Sequence, residues 1–155
     1  MLTLLRDLQR VRREIALPRP AVRGSLAIRH VDAGSCNGCE HELTAATTPY
    51  YDLQQHGLGI VASPRHADLL LVTGPVTTRM LGPLRMAYES MPEPRLVAAL
   101  GDCALGRCIV PPGDEVVGPV EDVLPVALRI AGCPPSPDRI AEALVGLLRE
   151  RAGGR

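Results

Sequence analysis

Apolar residues along this chain follow two periods. Over residues 1–17, Leu4, Leu8, Val11 and Ile15 recur at steps of four, three and four, while Arg6, Arg10 and Arg13 lie off that stripe. That is the spacing of an amphipathic helix. The segment Leu17-Pro18-Arg19-Pro20-Ala21 ends it, because proline withholds a donor and restricts the residue before it. The pattern divides the chain into an N-terminal helical arm, residues 1–20, and a main domain, residues 21–155. The arm either packs on its own domain or docks on a partner.

In the main domain, short apolar runs alternate with helical patterns. Ser25–Val31 alternates apolar and polar positions, as a strand does. Glu40–His56 has a helical pattern interrupted at Pro49, and Leu58–Ala62 is a second short strand. Asp68–Thr73 and Arg95–Leu100 are continuous apolar runs, the kind buried on both faces of a parallel sheet. Thr78–Met91 predicts a helix and Pro125–Ile130 a weaker strand. Ser136–Arg151 predicts a closing helix with Ile140, Leu144, Leu147 and Leu148 on one face. Ser136 stands at its N-cap and Pro137 at its first position. Strands alternating with helices imply right-handed crossovers and an open parallel sheet with flanking helices. In such α/β folds ligands bind beyond the carboxyl ends of the strands.

Composition narrows the function. The 155 residues include 17 basic and 17 acidic side chains, for no net charge, and every basic one is Arg. This excludes the basic footprint of a general nucleic-acid binder. With no Phe, no Trp and three Tyr, there is no base-stacking platform, and the core must be aliphatic. No apolar run approaches a membrane span, and the N-terminus lacks the apolar core and cleavage site of a secretory signal. The expected location is therefore cytoplasmic, where thiols stay reduced. Five cysteines then need a reason other than disulfides.

Cys36 and Cys39 form Cys-Asn-Gly-Cys just after the first strand; Cys103 follows the Arg95–Leu100 strand; Cys133 follows the last strand. A parallel sheet brings all of these to one edge, whereas no strand end places Cys108. Several chemistries remain open. A CxxC at a helix mouth could be a redox pair whose thiol pKa is lowered by the helix N-terminus. A zinc site would use four thiolates but commonly draws them from two knuckles, and here the second pair is split by 29 residues. A [4Fe-4S] cluster needs one thiolate per iron and accepts ligands from separate loops. Cysteine can also be a small buried hydrophobe. The placement favours the iron–sulfur reading.

The motifs HVDAGSCNGCEHEL, SPRHADLLLVTGPVTTRM, MPEPRLVAALGDCA and GCPPSP together resemble the B-type subunit family of NADH-quinone oxidoreductase. That family includes the small subunits of energy-converting, membrane-associated [NiFe] hydrogenases. The resemblance runs from about Ser25 to the C-terminus. It implies a flavodoxin-like fold and one [4Fe-4S] cluster held by Cys36, Cys39, Cys103 and Cys133. It also implies an electron-transfer subunit set beside a hydrogenase-like large subunit and a ferredoxin-like iron–sulfur subunit. Such a chain would reach membrane subunits only indirectly, on the cytoplasmic face, and would do no bond chemistry itself. The CxxC spacing is that of hydrogenase small subunits, since quinone-enzyme subunits carry adjacent cysteines there. The loop after Cys103, Ala-Leu-Gly-Arg-Cys-Ile-Val-Pro-Pro, replaces a Gly-rich aromatic stretch of the family near the quinone site. That replacement tells against direct quinone reduction.

The nearest alternative is the B-type subunit of an NADH-quinone oxidoreductase. From other classes come a zinc-stabilised binding module with four cysteine ligands and a free-standing thiol oxidoreductase. The resemblance also implies a glutamate after the second cysteine, best matched by Glu42 with Glu40 beside it. His41 within the cysteine motif is a candidate to perturb a cluster, and Arg79 a candidate compensating charge. Plain alternatives are a helix-dipole role for the glutamates, a surface role for His41 and a capping role around Arg79. Cys108 is expected to be a bystander thiol. No Gly-x-Gly-x-x-Gly or P-loop occurs, so no nucleotide site is expected.

Overall fold

The computed structural model describes residues 24–109 and 113–153; the expected N-terminal arm lies outside them. Strands β1 (Leu26–Asp32), β2 (Leu58–Ile60), β3 (Leu69–Thr73), β5 (Leu96–Leu100) and β7 (Leu128–Ile130) form one parallel sheet in the order β2-β1-β3-β5-β7. That is the flavodoxin-like order, whose ligand site lies at the switch point between the first strand and the third. Here the switch falls between Asp32 and Thr73, which are register partners.

The alternation of side chains along a strand builds two cores. Leu69 and Leu71 with Ala98 and Leu100 face helices α1 (Gly38–Ala46) and α3 (Pro137–Gly153). Leu70 and Val72 with Val97 and Ala99 face helix α2 (Thr78–Glu89), whose Leu84 is buried among them. All five residues of β3 are buried, which is why its first four, Leu69 to Val72, are apolar without a break. Each fully buried leucine contributes roughly 1.5–3 kcal/mol of transfer free energy.

The expected elements are present, with shifted ends. The helix expected over Glu40–His56 divides into α1 and a 3-10 turn, Leu53–His56. The hydroxyls of Thr47 and Thr48 donate to the carbonyls of Thr44 and Ala45, 2.7 Å each, closing α1 before Pro49. Gly57 closes the 3-10 turn with φ 79°. Pro137 opens α3, and the Ser136 carbonyl accepts its first bond from Ile140 at 3.0 Å. Two further strands leave no mark on the sequence pattern: β4 (Val76–Thr77) and β6 (Val116–Gly118) pair antiparallel beside the carboxyl edge. At two and three residues they are too short to show a period. No helix among the described residues is long and apolar enough to cross a membrane.

Gly146 lies inside α3, and a Cβ there would meet nothing within 4 Å. Gly146→Ala is expected to stabilise the domain by roughly 0.5–1 kcal/mol, by lowering the entropy of the unfolded chain. A thermal melt checks this; an unchanged or lower Tm would contradict the open surroundings of that position.

Candidate metal centre

The loops that leave β1, β3, β5 and β7 surround a cavity of about 500 Å³, and every cysteine of the chain lies on its wall. Cys36 and Cys39 come from the β1 loop and the first turn of α1, Cys103 from the β5 loop and Cys133 from the β7 loop. The sheet thus brings the four expected residues to one edge. It also brings Cys108, which no strand end places.

Short polar contacts fix each loop. Asp32 Oδ1 accepts from the Gly34 and Ser35 N–H groups at 2.8 and 2.7 Å, an Asx turn that aims the chain at Cys36. Burial alone would push the Asp32 carboxyl up, but those two donors hold it below the usual carboxylate range. Asp102 ties the Cys103 loop to the Cys133 loop twice. Its N–H donates to the Gly132 carbonyl, and its Oδ1 accepts from the Gly132 N–H, both at 2.9 Å. The Arg107 N–H then donates to the Asp102 carbonyl at 2.8 Å, turning the chain back. Cys108 Sγ can thereby donate to the Cys103 carbonyl at 3.8 Å. Sequence reasoning does not single out Asp32 and Asp102; the available signal is that each stands close to a glycine and a cysteine, where a carboxylate can hold backbone or face the site.

Close approach is built in with glycine. Gly101 has φ +92°, and a Cβ on it would lie 2.4 Å from Cys39 Sγ. Gly74 has φ +73°, and a Cβ there would lie 2.4 Å from the Ser35 nitrogen. These two positions need both the left-handed backbone and the missing side chain.

Two of the thiols, Cys39 and Cys103, resist ionisation without a cation beside them. Burial, then the charges of Glu40, Cys36 and Cys133, push Cys39 up to about 11. Burial, then the Cys108 thiol as hydrogen-bond partner and the charges of Cys108, Cys133 and Cys36, push Cys103 up to about 12. At Cys39, in the first turn of α1, burial moves the thiol in the direction opposite to the lowering expected at a helix N-terminus. A polycationic core at the centre would offset the same cost, since a coordinating thiol is deprotonated outright.

Among the described residues no three His, Cys, Asp or Glu side chains close on one point as ligands of a single ion. The thiols stand around a volume instead. Its thiol donors, its mostly apolar wall and the Cβ-free approach at Gly101 fit a [4Fe-4S] cluster, which needs one thiolate per iron.

The other candidates stand farther off. His41 is exposed and Glu42 half-buried, and neither lines the cavity. Arg79, near the start of α2, is exposed and also off the wall. Glu40 is the acidic residue that is engaged, with Thr73 and His30. Sequence spacing gives no hint of this, because the three residues lie on three elements.

Comparison with known proteins yields one family model, described as NADH ubiquinone oxidoreductase, 20 Kd subunit, matching residues 36–147. The chain is 43% identical over 123 residues to a probable membrane-bound hydrogenase subunit of Pyrococcus furiosus, covering 79% of this chain and 74% of that one. It is 38% identical over 122 residues to a B-type subunit of the NADH-quinone oxidoreductase of Chloroflexus aurantiacus, covering 76% and 70%. Among solved structures it is similar to a chain of the membrane-bound sulfane sulfur reductase, an archaeal respiratory membrane complex. There the TM-score is 0.72 at 32% identity, over 84% of this chain and 72% of that one.

Proposed function

The chain belongs to the family of the NADH ubiquinone oxidoreductase 20 Kd subunit, and on that footing we propose that it is an electron-transfer subunit carrying one [4Fe-4S] cluster. Cys36, Cys39, Cys103 and Cys133 are its ligands. The observation that carries this reading is the convergence of thiols from three loops on one cavity.

The relatives are named for three different reactions: hydrogen, quinone and sulfane sulfur chemistry. What a shared subunit can contribute to all three is passage of electrons, not recognition of one substrate. The cluster would supply one-electron storage. The protein supplies burial, backbone donors and a fixed cage. The parent complex is proposed to be a membrane-associated [NiFe]-hydrogenase-like oxidoreductase. Its partners would be a hydrogenase-like large subunit and a ferredoxin-like subunit, with attachment to the cytoplasmic membrane face through them. The CxxC spacing and the higher identity to the hydrogenase relative favour this branch over the quinone-oxidoreductase branch. An open, apolar cavity mouth, with Ile109 79% exposed, is what a covering partner needs.

Anaerobic purification followed by metal and sulfide analysis tests the cofactor. About four irons and four acid-labile sulfides per chain are expected. One zinc without sulfide would establish the zinc-binding module instead, and neither metal would leave a thiol protein.

A further inference from the structure

Beside the cavity lies a second polar group that the ligand set does not use. Thr73, the last residue of β3, is a polar side chain with no exposure at all. Its hydroxyl donates to Glu40 Oε1. His30 Nε2 lies 2.9 Å from the Thr73 oxygen and 3.5 Å from Glu40 Oε1. With the threonine proton directed to Glu40, the His30 ring must offer its proton to the Thr73 oxygen. Burial holds His30 below the usual histidine range in spite of Glu40 and Asp32, which favours the neutral ring as that donor. Three elements, β1, β3 and α1, thus grip one carboxylate.

Folding alone gives little reason for this arrangement. Glu40 Oε2 is buried with no hydrogen-bond partner among the described residues, and an unsatisfied buried oxygen opposes folding. A leucine at position 40 or a valine at 73 would pack without that cost. The carboxylate instead sits one residue after Cys39, and its charge acts on the Cys39 sulfur.

We propose that Glu40, clamped by Thr73 and His30, is a fixed negative charge beside Cys39 that holds the midpoint potential of the cluster low. Glu40 is a tuning group, and Thr73 and His30 are positioning residues; none is a ligand. The inference rests on the cluster reading above. Adding one electron to the cluster makes its charge more negative, and a fixed anion nearby opposes that. No bond is made or broken.

The test is a redox titration of the full chain, purified anaerobically and followed by the reduced-cluster EPR signal, with dithionite as the electron source. Glu40→Gln is expected to keep wild-type iron and shift the midpoint to a more positive value. Thr73→Val is expected to shift it the same way by less, as the carboxylate swings toward solvent, and Thr73→Ser to restore the wild-type midpoint. The Thr73 pair decides the matter independently of how well the Glu40 variant folds. A full-iron Glu40→Gln protein at the wild-type potential overturns the inference and leaves the cluster standing. A wild-type chain without iron and sulfide overturns both.

Discussion

Alanine at Cys133 is expected to strip the chain of most of its iron and acid-labile sulfide, whereas alanine at Cys108 leaves both at the wild-type ratio. The two thiols share one cavity wall, so distance from the site does not separate them. Placement does. Cys133 stands on the β7 loop, roped to the Cys103 loop through Asp102 and Gly132, and supplies a donor from a loop that carries no other cysteine. Cys108 reaches the wall from the same loop as Cys103, against that residue's carbonyl, so a donor is already present there. A cubane with three protein thiolates, in place of the usual four, leaves one iron open to solvent and the cluster more easily oxidised and dismantled. Cys133 is exposed, so alanine leaves no void in the core, and far-UV circular dichroism should match the wild type. Iron loss is then a ligand effect rather than unfolding. Full iron in the Cys133 variant would remove that residue from the ligand set; loss of iron in the Cys108 variant would put that residue in it.

Much of this centre is legible in the sequence. Buried parallel strands leave continuous apolar runs, and Asp68–Thr73 and Arg95–Leu100 do so because both their faces are covered. Once the strands are placed, their carboxyl ends place Cys36, Cys39, Cys103 and Cys133 without any knowledge of side-chain geometry. Cys108 escapes that logic, because the turn that returns it depends on the Arg107 bond to Asp102, a contact with no periodicity. The β4–β6 ribbon escapes it for its brevity. The link among His30, Thr73 and Glu40 is hidden because Thr73 ends an apolar strand and looks like its cap. Only the register of β1 on β3, with α1 packed above, turns that hydroxyl into a partner for residues 43 and 33 positions away.

Alanine at Gly101 is expected to prevent cluster assembly and to destabilise the apo-chain together. At φ +92° an L-residue is strained, at a cost of about 1–3 kcal/mol. The new Cβ would also lie 2.4 Å from Cys39 Sγ, far inside contact distance, so one of the two must move. Gly101 is held by its N–H bond to the Ile130 carbonyl at 2.8 Å, which leaves Cys39 to give way, and with it a ligand. Gly74→Ala makes a useful companion. Its Cβ would meet the Ser35 nitrogen at 2.4 Å and the Gly34 carbonyl carbon at 2.6 Å, backbone that no rotamer change can clear. The Gly74 variant should therefore lose more stability than the Gly101 variant, seen as a lower Tm of the apo-protein. The Gly101 variant should lose iron out of proportion to its loss of Tm, because its collision is with the sulfur itself. Wild-type iron content in Gly101→Ala would mean that the β5 loop and the Cys39 thiol do not meet as described. A Tm lowered equally in both variants, with iron falling only in step, would reduce the role of Gly101 to backbone conformation alone.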